Sequence, residues 1–191
     1  MNQAAHPDPL SDARARRPAV FLDRDGVLNE LVLRDGAWVS PRTLEDFAII
    51  EEAPAAVGRL RNLGVRVFVV TNQPDLARGH LDESTAVAMT AKLARVVQVD
   101  DIRICPHDDA DACDCRKPRA GMLLDLARSF DIDLSRSFMV GDSWRDIEAG
   151  RRAGCVTILV AGRAPTTDPA DHTVASLHDA VTVVENILKT A

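Results

Sequence analysis

Short apolar runs recur along the chain, and most of them end where polar residues or glycine begin. These runs are almost continuously apolar, which favours strands of a parallel sheet that is covered on both faces. The predicted strands are residues 19–22, 66–71, 102–104, 137–140 and 155–160.

Apolar residues at helical spacing fill the segments between these runs. Pro54 near the start and Gly64 just past the end are the residues expected at the two ends of one helix. The pattern from Ser176 to Asp179 is typical of a capping box that opens a final helix with an apolar stripe. The first of these two helices is predicted at residues 54–63, and the remaining predicted helices are residues 82–97, 121–130 and 146–153.

Strands and helices alternate along the chain, and this alternation predicts an α/β fold with a doubly wound, Rossmann-like parallel sheet. Residues 31–52 are predicted to form a loop or a small hairpin after the first strand, and residues 161–172 a loop before the last helix. The sequence shows no internal repeat and no second domain. We therefore predict one domain at residues 19–191, preceded by a flexible leader at residues 1–18.

Composition and charge narrow the class of protein. The chain has 191 residues, of which 46% are hydrophobic and 27% charged, as in ordinary globular proteins. The formal net charge of −6 argues against non-specific binding to nucleic acid. No apolar run approaches the roughly 18 residues that a membrane span needs, and the N-terminus lacks the apolar segment of a signal peptide. We therefore predict a cytoplasmic protein without a membrane partner.

Polar clusters follow the predicted strands at residues 23–26, 71–73 and 141–146, and another lies at residues 115–118 after a loop. In an open parallel sheet, ligands bind beyond the carboxyl ends of the strands, so these clusters are expected to meet. Crowded carboxylates repel one another unless a cation neutralises them, and Mg²⁺ suits Asp23 and Asp142. Gly26 suits a turn that brings the carboxylates of Asp23 and Asp25 to one place.

The motifs DRDG, TNQ, a lysine before proline, and GDxxxD occur in this order and resemble the haloacid dehalogenase-like phosphatase superfamily. The resemblance implies that Asp23 is the nucleophile that forms an aspartyl-phosphate and that Asp25 is the general acid and base. It also implies that Thr71 and Lys117 bind the transferring phosphoryl group. Mg²⁺ would be held by Asp23, the main-chain carbonyl of Asp25, and Asp142. The dehalogenase branch lacks the second aspartate, so we set dehalogenation aside.

Each motif alone has a structural explanation. A lone DxDG sequence is more often a turn or a solvated loop, and GDxxxD alone is compatible with a helix start that has Asp142 at the N-cap. Asp146 either supports the metal site through water or faces solvent. The occurrence of all the motifs in order, beside strand ends, favours the catalytic interpretation.

Cysteines cluster in one segment, where Cys105 and His107 are followed by Cys113 and Cys115. Three thiolates and one imidazole are a typical tetrahedral ligand set for Zn²⁺, and a site with four protein ligands leaves no open position. The sequence therefore predicts a structural zinc that folds this loop. The alternative is a set of unliganded thiols or a redox disulfide. Cys155 lies apart and is predicted to be a small buried apolar residue.

The cysteine loop narrows the resemblance to two groups, the D-glycero-D-manno-heptose 1,7-bisphosphate 7-phosphatases and the histidinol-phosphate phosphatases. Both groups imply a capless domain with a zinc-binding loop, and the TNQ…ARG segment favours the heptose group. The resemblance implies that Arg116 recognises substrate by gripping the distal phosphate. Asn72, Gln73 and Ser143 are the other predicted substrate-binding residues.

We therefore predict a Mg²⁺-dependent phosphatase that acts on a small sugar phosphate and is a monomer. Histidinol phosphate or another sugar phosphate is the alternative substrate, since Pro74 and Asp75 replace the expected small residue and glycine, and the zinc spacer is short. A catalytically inactive binding module and a phosphotransferase are the alternatives of a different class.

Overall fold

The computed structural model describes residues 16–161 and 170–190. Its centre is one parallel sheet with the strand order β5-β4-β1-β6-β7-β8. The five predicted strands are all present in this sheet. Its strands are β1 (Ala19–Leu22), β4 (Arg66–Asn72), β5 (Asp101–Cys105), β6 (Phe138–Gly141), β7 (Val156–Val160) and β8 (His172–Val174).

A sixth strand, β8, lies at the end of the segment that was predicted as a loop at residues 161–172. It has only three residues, His172, Thr173 and Val174, and its side chains are partly or fully exposed. Such a short strand with little apolar character gives no periodic signal. Residues 162–169 of the predicted loop lie outside the described part of the chain.

The excursion after β1 contains a small antiparallel hairpin, which confirms one of its two interpretations. Its strands are β2 (Val32–Arg34) and β3 (Ala37–Val39). The two connecting residues, Asp35 and Gly36, have φ angles of 51° and 79°. Positive φ at both positions is what a two-residue hairpin turn requires, because its twist then matches that of the strands.

Among the described residues, five α-helices cover the two faces of the sheet. Side chains alternate along β1, so that Val20 and Leu22 pack into one apolar cluster and Ala19 and Phe21 into the other. This double burial explains why β1 is apolar throughout, and it confirms the doubly wound architecture. The helices are α1 (Ala53–Asn62), α2 (Glu83–Val97), α3 (Gly121–Phe130), α4 (Trp144–Ala153) and α5 (Leu177–Thr190).

The order of the strands places a crevice at the carboxyl end of β1. From β1 the chain builds β4 and β5 on one side, and it then crosses to build β6 on the other side. Ligands in open α/β sheets bind at such a switch point. The polar clusters after β1, β4 and β6 therefore meet at one place.

The structure covers only the last few residues of the predicted leader. Residues 1–15 of the leader lie outside the described residues, whereas Arg17 makes a parallel bridge with Ile132. The boundary of the leader at residue 18 stays a prediction.

No helix in residues 16–161 and 170–190 is long and apolar enough to cross a membrane.

Candidate active site

The chain turns sharply after β1, and Gly26 makes this turn possible. The main-chain N–H groups of Leu28 and Asn29 donate to the carbonyl of Arg24 at 2.8 and 3.1 Å. Gly26 has a φ of 83°, and a Cβ atom there would lie 2.1 Å from Oδ2 of Asp142. Glycine is therefore needed for the backbone conformation and also for the space beside the Asp142 carboxylate.

Lys117 is the buried cation of the site. Its Nζ lies 2.7 Å from Oδ1 of Asp23 and 2.5 Å from Oδ1 of Asp146. It also donates to the carbonyl of Val70 at 2.7 Å. Burial alone would lower the pKa of Lys117, but the charges of Asp146 and Asp23 outweigh burial and raise that pKa.

Three carboxylates, those of Asp23, Asp142 and Asp146, converge beside this lysine, with ligand atoms within 4.8 Å of one another. Burial, reinforced by the charge of Asp146, raises the pKa of Asp142 to about 7. Burial also raises the pKa of Asp23, against the opposing effect of Lys117. One lysine does not neutralise three carboxylates, and a hard divalent cation with oxygen ligands suits the remaining charge.

Asp146 does not face solvent, since only 1% of it is exposed. Besides its ion pair with Lys117, its Oδ2 accepts from the main-chain N–H of Ser143 at 3.1 Å and from the Ser143 hydroxyl at 2.6 Å. These contacts form a capping box at the start of α4. The N-cap of this helix is therefore Ser143, and the alternative with Asp142 at that position is wrong.

Asp25 is held by a network of donors from three parts of the chain. Nη2 of Arg24 lies 3.0 Å from both of its oxygens. Amide groups of Asn29 and Gln73 donate at 2.9 and 2.6 Å, and the Ser40 hydroxyl donates at 3.1 Å. The sequence analysis missed Arg24, Asn29 and Ser40. The position of Arg24 between the two aspartates was the one available signal, because Ser40 reaches the site only through tertiary structure.

The end of β4 supplies the predicted Thr71, Asn72 and Gln73. Asn72 lines the cavity, and its side-chain amide exchanges hydrogen bonds of 2.9 and 3.0 Å with the main chain of Lys117. Thr71 and Gln73 are each 1% exposed, and the Gln73 amide donates to the Thr71 hydroxyl at 2.8 Å. Gln73 therefore contacts Asp25 from behind the cavity wall, and its predicted role in substrate binding stays a prediction.

A cavity of about 520 Å³ opens above these groups. Asp23, Asp25 and Asp142 lie at its base, while Trp38 and Ser40 come from the hairpin region. The predicted substrate-binding residues Arg116 and Ser143 also line it. This volume is sufficient for a small-molecule ligand.

The predicted zinc ligands form a compact cluster. Sγ of Cys105 lies 3.7 Å from Nδ1 of His107, 3.6 Å from Sγ of Cys113 and 3.2 Å from Sγ of Cys115. These separations are close to the edges of roughly 3.8 Å that a tetrahedron with Zn–S bonds of about 2.3 Å would have. All the cysteines are free thiols, so the disulfide alternative does not describe this structure. The donor set and its spacing fit a tetrahedral metal ion.

Cys155 occupies a different environment from the cluster. It is 7% exposed and packs within the apolar cluster on the α3 side of the sheet. Burial raises the pKa of its thiol to about 12, which keeps the thiol protonated and unreactive at neutral pH. The position agrees with its predicted role as a small apolar residue.

Comparisons with known proteins agree with this geometry. The model of the HAD-hydrolase-like family matches residues 114–189, which include Lys117, Asp142 and Asp146. The D-glycero-beta-D-manno-heptose-1,7-bisphosphate 7-phosphatase of Pseudomonas aeruginosa is 40% identical over 149 residues, which cover 75% of this chain and 81% of that protein. The Photorhabdus laumondii protein of the same name is 38% identical over 189 residues, covering 90% of this chain and 97% of that protein.

A solved structure shows the same fold. The D,D-heptose 1,7-bisphosphate phosphatase from Bordetella bronchiseptica, in complex with magnesium and phosphate, has a TM-score of 0.73 and 33% identity. The match covers 91% of this chain and 99% of that chain. The site residues and these relatives show that the chain belongs to the haloacid dehalogenase-like phosphatase superfamily. Within it, the chain falls in the group of the D-glycero-D-manno-heptose-1,7-bisphosphate 7-phosphatases.

Proposed function

We propose that this protein is a Mg²⁺-dependent phosphomonoester hydrolase that removes the 7-phosphate of D-glycero-D-manno-heptose 1,7-bisphosphate. The observation that carries the proposal is the meeting of Asp23, Asp142 and Lys117 at the base of one cavity. The substrate is proposed from the names of the relatives in Pseudomonas aeruginosa and Photorhabdus laumondii.

The reaction proceeds in two steps on the residues of this chain. A carboxylate oxygen of Asp23 attacks phosphorus, and the bond from phosphorus to the sugar oxygen breaks while Asp25 gives that oxygen a proton. The resulting aspartyl-phosphate is then attacked at phosphorus by water, from which Asp25 takes a proton. Inorganic phosphate leaves and the Asp23 carboxylate is restored. Splitting the transfer in this way is nucleophilic catalysis assisted by a general acid and base.

Charge neutralisation is the main requirement of this reaction, because an anionic nucleophile must approach a phosphate dianion. Mg²⁺ would be held by Asp23, Asp142 and the main-chain carbonyl of Asp25, and when bound it would reduce this repulsion. Lys117 supplies a fixed positive charge 2.7 Å from Asp23. Thr71 and Asn72, at the end of β4, are the proposed supports of the phosphoryl group.

The network around Asp25 supports its proposed role as general acid and base. Arg24, Asn29, Ser40 and Gln73 all donate to its oxygens, so its carboxyl group has one fixed orientation. A proton donor must be held within reach of the leaving oxygen, and fixed orientation is the structural means to that end.

We further propose that Cys105, His107, Cys113 and Cys115 hold a structural Zn²⁺. Cys115 directly precedes Arg116 and Lys117, so a rigid loop would fix two residues of the cavity. Metal analysis of protein purified without chelators should give about one zinc per chain. Finding no transition metal in such a preparation would contradict this proposal.

A phosphate-release assay with Mg²⁺ tests the proposed substrate. We expect a strong preference for heptose 1,7-bisphosphate over histidinol phosphate and over other sugar phosphates tested separately. A preference for histidinol phosphate would retain the Asp23 chemistry and reject the heptose assignment. A cytoplasmic location follows as part of the proposal, since sugar bisphosphates of this kind are metabolites, and the monomeric state stays a prediction.

A further inference from the structure

One side of the cavity is lined by arginines from three separate parts of the fold. Arg78 comes from the loop after β4, Arg116 from the end of the cysteine loop, and Arg145 from the first turn of α4. Three guanidinium groups far exceed what the cleavage of one phosphate needs, because Lys117 already serves Asp23. They indicate a second anionic group on the ligand.

Two of these arginines are held by carboxylates of the cysteine loop. Nε of Arg116 donates to Oδ1 of Asp109 at 2.7 Å, and Arg78 makes a two-point contact of 2.7 Å with Asp108. The Asp109 side chain is 66% exposed, whereas that of Arg116 is 10% exposed. A buried guanidinium is thus paired with a carboxylate that is itself largely exposed to solvent.

Arg145 differs from the other two. Among residues 16–161 and 170–190, no carboxylate lies within ion-pair distance of it, and its guanidinium stacks on Trp144 at 4.8 Å from the ring centroid. Its charge nevertheless acts on Asp109, whose pKa is lowered first by the hydrogen bond and charge of Arg116 and then also by Arg145. Asp109, Arg116 and Arg145 all line the same cavity.

We propose that Arg145 is a specificity residue that binds, together with Arg116, the substrate phosphate that is not cleaved. Asp109 is an internal anion that holds Arg116 until this phosphate displaces it. A phosphate dianion carries more charge than a carboxylate and can accept two-point hydrogen bonds from guanidinium groups. It therefore replaces the Asp109 carboxylate as the partner of Arg116. This inference rests on the proposed function, because it assumes a substrate with two phosphates.

The test compares heptose 1,7-bisphosphate with heptose 7-phosphate, which has the same cleaved bond and lacks the second phosphate. With Arg145→Gln, we expect KM for the bisphosphate to rise about tenfold, the effect of losing one charge-assisted contact. For the monophosphate, KM should change less than twofold. Arg128→Gln is the matched control, since it removes one positive charge from a side chain that is 76% exposed on α3. If Arg145→Gln raised KM equally for both substrates, the proposal would be overturned.

Asp109→Asn tests the role of Asp109 as the internal anion, and it should change KM for the bisphosphate in the opposite direction to Arg145→Gln. The capping box of the loop uses Asp108 and Asp111, so this change leaves it intact. We expect KM for the bisphosphate to fall severalfold while zinc content and thermal stability remain as in the unaltered protein. An unchanged or higher KM for the bisphosphate, in a variant with normal zinc content, would contradict the role of Asp109.

Calorimetry on the Asp23→Asn background separates this inference from the proposed function. If the unaltered protein cleaves neither heptose phosphate, the proposed function fails, while binding of heptose 1,7-bisphosphate still decides the role of Arg145. Tighter binding with Arg145 than with Gln at that position supports the assignment. Equal binding by the two proteins overturns it.

Discussion

The carboxylate cluster at the strand ends and the cysteine cluster differ in how the chain builds them. Asp23 lies more than a hundred residues before Asp142 and Asp146, and the three carboxylates meet only because β1 and β6 are neighbours in the sheet. Cys105, His107, Cys113 and Cys115 lie within one loop. The first arrangement depends on the whole fold, and the second depends on local spacing.

The two clusters also differ in what they leave open. The carboxylates face a cavity, and their charge is only partly offset by Lys117. The cysteine cluster offers four side chains that could ligate a metal ion, which is enough to complete a tetrahedron without solvent or substrate. We infer that one cluster carries the chemistry while the other holds a loop, and that they meet where Cys115 is followed by Arg116 and Lys117. Substitutions in each cluster should therefore have different consequences.

The largest effect is expected from Asp23→Asn. An amide is not a nucleophile for phosphorus, so kcat should fall by at least about a thousandfold in the phosphate-release assay. The zinc content of this variant should be normal, because Asp23 does not contact the cysteine loop. Activity within tenfold of the unaltered protein would refute the role of Asp23.

Lys117→Met should reduce both activity and stability. Removing this ammonium leaves the buried carboxylates of Asp23 and Asp146 without their cation, which costs about 3–5 kcal/mol in comparable cases. Chemical unfolding would measure this loss, and added Mg²⁺ should recover part of it. Arg128→Met serves as the control for loss of an exposed charge. A variant as stable as the unaltered protein would show that the ion pairs of Lys117 do not matter.

Cys113→Ser should act mainly on binding and on stability. Loss of one ligand would release the metal and loosen the loop that carries Arg116, so KM should rise about tenfold while kcat changes less. Cys155→Ala is the matched control, because it removes a cysteine thiol outside the cluster and should keep one zinc per chain. If kcat falls and KM does not, the cysteine cluster takes part in the chemistry and the contrast drawn above fails.

Between pH 5 and pH 8, the pH dependence of stability should come mainly from the carboxylate cluster. The pKa of Asp142 is raised to about 7 from a usual value of 3.8, so the folded state holds this proton more tightly than the unfolded state. In Mg²⁺-free buffer, the contribution of Asp142 is therefore fully present below about pH 4 and is lost as the pH rises towards 7.

Thermal unfolding between pH 5 and pH 8 checks this dependence. Asp142→Asn should flatten the slope, and Mg²⁺ should flatten it at the alkaline end, whereas Cys113→Ser should leave the slope in place. A slope that is unchanged in Asp142→Asn would assign the pH dependence to another group.

The smallest effect is expected from Ser40→Ala. This change removes one of several hydrogen-bond donors to Asp25, at 3.1 Å, and leaves Arg24, Asn29 and Gln73 in position. We expect kcat to fall about fivefold, in line with one hydrogen bond of roughly 1 kcal/mol. Ser135→Ala, outside the cavity, is the control. A loss above a hundredfold would mean that the hairpin region contributes more than one contact.

The contrast between the clusters also explains what the sequence could predict. The apolar strands and the cysteine spacing are local patterns, so the sheet and the clustering of the cysteines with His107 were both predictable. Asp146 was ambiguous, because its burial depends on Lys117, whose loop is distant in the chain. Ser40 gave no signal, since it reaches Asp25 only when the segment after β1 folds back.

Short polar strands are also difficult to predict from the sequence. β8 has two polar residues, His172 and Thr173, and its place is fixed by pairing with β7 rather than by its own apolar pattern. The role of a residue can be as hard to predict as its secondary structure, and Gln73 is an example. Its position after β4 favoured a substrate contact, but the strand end turns its amide towards Asp25.

Trapping the covalent intermediate tests the central claim most directly. The unaltered protein would be mixed with heptose 1,7-bisphosphate and Mg²⁺, quenched within one turnover and treated with borohydride, which reduces an aspartyl-phosphate to homoserine. Peptide mass spectrometry should find homoserine at position 23 and nowhere else. Absence of homoserine in a preparation that releases phosphate, or its appearance at another aspartate, would contradict the assignment of Asp23.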